Sequence, residues 1–296
     1  MKAFLALVHR EFIEHRGAFF IAPLVLVGIV FGLTILAFSV NRLDTRFSGQ
    51  LLTVVPTWVF EAGFAGLAAA WLIYLGFVLF FYCADGFAAD KRNNAMLFWK
   101  SMPVSDFTVL LSKFTAAVTV LPGAVFGVAL LSLVGMFGVA YVTTLFGGLA
   151  GADLLGSIIA IYGQMAMVFL VVMVCGLLWY LPYMALVGAM GSAVGRWAIP
   201  LALLLPTVVS ALEWVTLGGA HPFATHTWAY LDYRSQMPIA LDHLDQVWEG
   251  QQPFEPIVFV TDFLQKFDWL QVGIGAIFAL VVLYLASEYR RRAAVN

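Results

Sequence analysis

The stretch DKRNNAMLFWKSMPVSDFTVLLSK, residues 90–113, decides how this chain is read. It is a short polar interruption between two apolar stretches, each long enough to cross a bilayer. Charge opens it at Asp90, Lys91 and Arg92, and an apolar cluster of Met96, Leu97, Phe98 and Trp99 follows. Pro103 then forbids continuation of a preceding helix, because it lacks an N–H and its ring clashes with the turn before it. Ser105 is placed to cap a new helix, with Asp106 at that helix's positive end. The helix before the interruption is expected to run through Asp85 and Asp90 and end near Asn93 and Asn94. A short helix over 95–101 would present Leu97, Phe98 and Trp99 to one side. Two readings stay open on the residues alone: an elbow that docks a soluble partner, or an inner loop whose apolar cluster dips into the membrane interface.

Composition sets the class around that elbow. Hydrophobic residues make up 62% of the 296 and charged residues 11%, against about 25% charged in a soluble domain. A crossing helix needs about 20 apolar residues, and six stretches qualify, so no length is left for a soluble catalytic domain. The expected spans are 17–40, 62–83, 107–141, 157–193, 197–217 and 269–286. The third and fourth are longer than straight crossings need, and Pro122 and Pro182 are the places for a kink or break. The fold class is therefore an all-α integral membrane protein in one domain, residues 1–296. Cys83 and Cys175 both fall inside apolar stretches and are read as free thiols.

Basic residues orient the spans. With both termini inside, Lys2, Arg10, Arg16, Lys91, Arg92, Lys100, Lys113, Arg196, Arg290, Arg291 and Arg292 face the cytoplasm, and only Arg42, Arg46, Arg234 and Lys266 lie outside. The start does not read as a cleaved leader, since HREFIEHR follows a very short apolar run. Phe4, Leu5, Val8 and Phe12 share one helical side, with Arg10, Glu11 and Glu14 elsewhere, which suits an amphipathic helix on the membrane surface before the first span. The long acidic loop over 218–268 is expected outside. Helical spacing of Leu241, Leu244, Val247 and Trp248, and of Val258, Phe259, Phe263 and Phe267, suggests one or two short helices capping the outer face.

Few residues offer chemistry. Glu213 is an acid well inside a span, and burying its charge in lipid costs several kcal/mol. It must face protein, a cavity or water, either as a gate or substrate contact or as a carboxylate bonded to a neighbouring helix. Gln164 in the fourth span is a weaker signal, since a neutral amide can simply join helices. His221, His226 and His243 share the outer loop with carboxylates but lack the i, i+4 spacing of a helical zinc site, so no metal is expected. Gly188, Gly191 and Gly195 permit close helix packing if the helix reaches Gly195. Trp179, Tyr180 and Pro182 could line a cavity or pack against other helices. The chain has no G-x-x-x-x-G-K-[ST] phosphate cradle. FSGQ at 47–50 is expected outside the membrane and carries no nucleotide site.

The order D-K-R, a small polar pair, LFWKSMPVS and a following LSK resembles the first cytoplasmic loop of type-2 ABC exporter membrane subunits. Six spans, an amphipathic start and a large outer loop before the sixth span match that family's layout along nearly the whole chain. The resemblance implies a permease of a bacterial inner membrane that moves a hydrophobic or amphipathic substrate outward. It would dimerise, with itself or a related permease, and bind two separate ATPase subunits that hold ATP and Mg. Asp90, Arg92, Asn94, Leu97, Phe98, Lys100 and Ser101 would then form the coupling surface. In that family the second and fifth spans line the path, which would place Glu213 and its neighbour Trp214 near the exit. The rival expectations are an ion-coupled secondary transporter and a membrane-embedded enzyme. The first usually needs repeats and several intramembrane charges; the second needs convergent catalytic groups, and no H-E-x-x-H or G-x-S-x-G is present. No nucleic-acid partner is expected.

Overall fold

The computed structural model describes residues 2–40, 57–92, 104–146, 152–218, 221–237 and 255–293. Asn94, Leu97, Phe98, Lys100 and Ser101 of the elbow, the FSGQ stretch, His243 and the segment around Leu241, Leu244, Val247 and Trp248 lie outside the described residues. Among those described, every regular element is helical. Six helical stretches among the described residues are long and apolar enough to cross a membrane: Lys2–Ala37, Gly63–Ala89, Asp106–Met136, Ile159–Val194, Ala198–Leu217 and Trp269–Arg292.

The first span carries a correction. Helix α1 (Lys2–Arg16) passes through a π-helical turn (Gly17–Ile21) into α2 (Ala22–Ser39) with helical dihedrals at both joints. The surface helix expected from its apolar stripe is thus continuous with the span, and the stripe has a protein neighbour. Val8 is buried, and Phe4 and Phe12 pack on the same core, although Leu5 stays exposed. Glu11, set apart from the stripe as a polar position, is buried as well.

Helix α3 is described over Thr57–Arg92 and carries the Asp90 and Arg92 backbone in helical form, while its expected end near Asn93 and Asn94 lies outside the described residues. The third span is two helices, α4 (Asp106–Val118) and α5 (Val120–Phe146), separated at Thr119 with φ −121 and ψ −76. Pro122 explains the place. It has no N–H for the carbonyl of Val118, so the ladder fails one turn earlier. In α6 (Ala152–Val194) the helix instead runs unbroken through Pro182. It stops at Val194, because Gly195 turns with φ +60 in the 3₁₀ turn Gly195–Trp197 that leads to α7 (Ala198–Leu217). The close-packing glycine is therefore Gly191, where a Cβ would lie 2.5 Å from the Ala84 carbonyl oxygen. Lipid is as apolar as leucine, so such close approach and interhelical hydrogen bonds hold membrane helices together. One of these bonds runs from Trp71 Nε1 to Ser132 Oγ at 3.0 Å, joining α3 to α5.

Helices α8 (His226–Ser235) and α9 (Pro256–Lys266) lie between α7 and the last span, α10 (Trp269–Ala293). Helix α9 matches the spacing of Phe259 and Phe263, both buried, whereas α8 has no comparable apolar signal. Both dock alongside α6 rather than merely over its end: Phe263 and Phe267 pack with Cys175 and Trp179. The centre of the bundle is the third and fourth spans, with 44% of each apolar window buried, against 11% in α7.

Candidate functional site

Helix α4 begins directly after the elbow, and the described structure shows what grips it. Its N-terminus is capped as read from sequence, with the Thr108 N–H donating to Ser105 Oγ at 3.2 Å. Asp106 in the first turn lies 4.0 Å from Arg290 Nε of α10. Two turns further along the same face, Lys113 Nζ meets Glu11 Oε1 of α1 at 3.0 Å. Both side chains of that pair are nearly closed to solvent, at 3% and 4% exposure. The Tyr82 hydroxyl of α3 lies 3.0 Å from Glu11 Oε2 and 3.2 Å from the Lys113 carbonyl oxygen, and its one proton is shared between them. His15 Nδ1 donates to the Glu11 carbonyl at 3.1 Å, and its ring stands edge-on to Tyr82 at 4.7 Å.

Four helices therefore meet at the root of the elbow through charge-assisted contacts. Desolvating a lysine and a glutamate costs several kcal/mol each, which mutual attraction and further hydrogen bonds offset only in good geometry. Here both Glu11 oxygens are engaged, one by ammonium and one by phenol. Glu11, Glu14 and His15 also bring ligand-type atoms within 4.8 Å of one another. The Lys113 ammonium already on Glu11 opposes a cation there.

The other sequence candidates separate. Glu213 sits on α7 with its oxygens 3.1 Å from the His226 N–H and 3.0 Å from the Thr227 N–H. Those are the first amides of α8, capped in turn by Thr225, whose side chain accepts from the Trp228 N–H. The carboxylate is thus bonded to a neighbouring helix, the plainer of the two readings, and complements the positive end of α8. Ser210 adds hydrogen bonds with the Pro222 carbonyl and the Thr225 hydroxyl. Trp214 is exposed one residue beyond Glu213, and Gln164 is exposed in the first half of α6, so no common site gathers the three.

Trp179 and Tyr180 resolve as docking residues. Trp179 is fully buried and donates its Nε1 to the Arg234 carbonyl at 2.8 Å, and Tyr180 donates to the Ser235 carbonyl at 2.8 Å. Arg234, counted from sequence as an outer-loop cation, is 1% exposed. Its guanidinium lies 4.2 Å from the Trp179 ring centroid and donates through Nη2 to the Trp179 carbonyl at 2.8 Å. Beside it, Asp268 accepts from the Gln271 N–H at 3.0 Å and from the Tyr233 hydroxyl at 2.9 Å. The Gln271 amide and the Tyr233 hydroxyl hold the Asp268 carboxyl below its usual range. Burial, then Asp268 itself, pushes the Tyr233 phenol up.

Sequence reasoning missed Glu11, Tyr82, Arg234 and Arg290 as structural partners. The available hint was Lys113, a cation embedded in the apolar run LLSKFTAAV, which demands a counter-charge without naming it. Compared with protein-family models, with curated proteins and with solved structures, the chain finds no match.

Proposed function

We propose that the chain is the membrane subunit of an ATP-driven exporter. It would act as a dimer with two separate ATPase subunits, and carry a hydrophobic or amphipathic substrate outward across a bacterial cytoplasmic membrane, with both termini inside. In this reading the chain binds no nucleotide, and ATP and Mg belong to the partner. The observation that supports it is the root of the elbow. Force applied to residues 93–103 enters α4 at Asp106. The Asp106–Arg290, Lys113–Glu11 and Tyr82 contacts tie that helix to α10, α1 and α3. A surface loop that merely rests on lipid has no need of such an anchorage. Asp90, Arg92, Asn94, Leu97, Phe98, Lys100 and Ser101 are the proposed contact surface, with Leu97 and Phe98 filling a groove on the ATPase.

The test is co-purification with the ATP-binding-cassette ATPase subunits of the source organism, expressed together with this chain. Leu97→Glu with Phe98→Glu should abolish association, while the permease keeps its monodisperse elution and thermal midpoint. Undiminished association of the double variant overturns the docking surface.

A further inference from the structure

We propose that the crevice between α2, α3 and α5 is a binding site for a single hydrocarbon tail of a membrane phospholipid. The proposal stands on the cavity alone and does not depend on the exporter reading. The space has a volume of about 500 Å³ and is partly open to the outside of the bundle. That lies within the roughly 300–1,000 Å³ common to small-molecule sites. Leu26, Val30 and Phe31 line it from α2, Leu67 and Ala70 from α3, and Met136 from α5.

The chemistry of the wall selects the occupant. Four of its residues carry polar side-chain groups, and each is already spent within the protein. Thr34 Oγ1 donates to the Val30 carbonyl at 2.8 Å, and Trp71 Nε1 donates to Ser132 Oγ at 3.0 Å. Ser132 donates to the Ala129 carbonyl at 2.7 Å, and the Tyr74 hydroxyl to the Ala18 carbonyl at 2.6 Å. No side-chain donor in the wall is left to hold a phosphate or an ester carbonyl. Water gains little in an apolar space without polar partners, and an empty one forfeits the dispersion contacts of its whole lining. Hydrocarbon restores those contacts without asking for a hydrogen bond.

The mouth faces a source of hydrocarbon. Leu26 and Val30 are 46% and 59% exposed, and Ile29 and Leu33 beside them are exposed too, all within a helix apolar enough to cross a membrane. Phe31 forms the wall of the space where α2 packs on α5. Its ring lies so close over Gly135 that a Cβ there would stand 2.0 Å from the ring edge.

The full chain is reconstituted in phosphatidylcholine–phosphatidylglycerol vesicles containing a trace of phospholipid with a diazirine midway along one acyl chain. After illumination, adducts are mapped by mass spectrometry. Adducts should concentrate on Leu26, Val30, Leu67 and Met136, above those on the exposed α7 residues Leu203 and Leu212. Ala70→Trp, which fills the space, should remove the crevice adducts and leave the α7 adducts unchanged. Thr34→Phe serves as a second filling variant if the first fails to elute as native protein. Equal labelling of crevice and α7, or crevice labelling indifferent to both filling variants, overturns the proposal. So does an unlabelled crevice cross-linked to a second copy of the chain.

Discussion

Lys113 and Glu11 show what one buried pair demands of this molecule. The Lys113 ammonium engages one oxygen of the buried Glu11 carboxylate, and Tyr82 completes the set by serving Glu11 and the Lys113 backbone at once. Removing one partner leaves an uncompensated buried charge, a loss of about 3–5 kcal/mol in comparable pairs, whereas apolar replacement of both can be nearly neutral. Lys113→Met alone should therefore lower the thermal midpoint of the detergent-solubilised protein sharply. Adding Glu11→Gln should restore most of the loss. A double variant as unstable as the single one would show that Glu11 is not the group that needs Lys113.

Elements that look alike in sequence diverge according to what packs on them. Pro122 and Pro182 both sit inside long apolar spans, yet α4 and α5 part at Thr119 while α6 passes Pro182 without a break. A proline removes one ladder hydrogen bond and opens the turn before it. At Pro182 the guanidinium of Arg234 reaches that turn and donates to the Trp179 carbonyl. Helix α8 is thereby hydrogen-bonded to α6 in the turn before Pro182, beside the Leu178 carbonyl that the proline leaves without its ladder donor. It is held to α7 through Glu213 and to the start of α10 through the Tyr233–Asp268 hydrogen bond. The last contact gives a pH dependence. Asp268 is held below its usual range in the folded chain, against an ordinary aspartate value of about 3.9. Its contribution is therefore complete above that ordinary value and fades as pH falls through the lower folded one. Asp268→Asn should reduce the thermal midpoint at neutral pH, and the gap from the parent protein should close in strong acid. A gap that stays constant across that range would remove Asp268 ionisation from the account.

For the whole molecule, orientation is the quantity on which the functional reading turns. The distribution of basic residues predicts the elbow inside and the long loop before α10 outside. Cys83 and Cys175 are buried, so a cysteine added at Ala95 or at Gln251 can be followed without removing them. A membrane-impermeant maleimide should label Gln251→Cys in intact cells and Ala95→Cys only after permeabilisation. The reverse pattern would place the elbow on the wrong side for a nucleotide-driven partner. Much of this architecture is legible locally, because a span announces itself by some twenty apolar residues and a cap by one serine. Six spans, the Ser105 cap and helix α9 are all of this kind. The junction is of another kind. Nothing near Glu11 in the chain names Lys113 or Tyr82 as its partner, and a helical wheel assigns Glu11 to the polar side. Nor does any pattern in the His226–Ser235 segment say that Arg234 will be buried on Trp179. By itself the sequence determined that the chain is helical, where its spans fall and which end is basic, since these follow from hydropathy and backbone chemistry within a few turns. Only the tertiary structure decided which charges are buried, which carbonyl Arg234 serves and where a tail-shaped space is left. Those depend on distances between residues far apart in the chain, and local pattern carries no record of such distances.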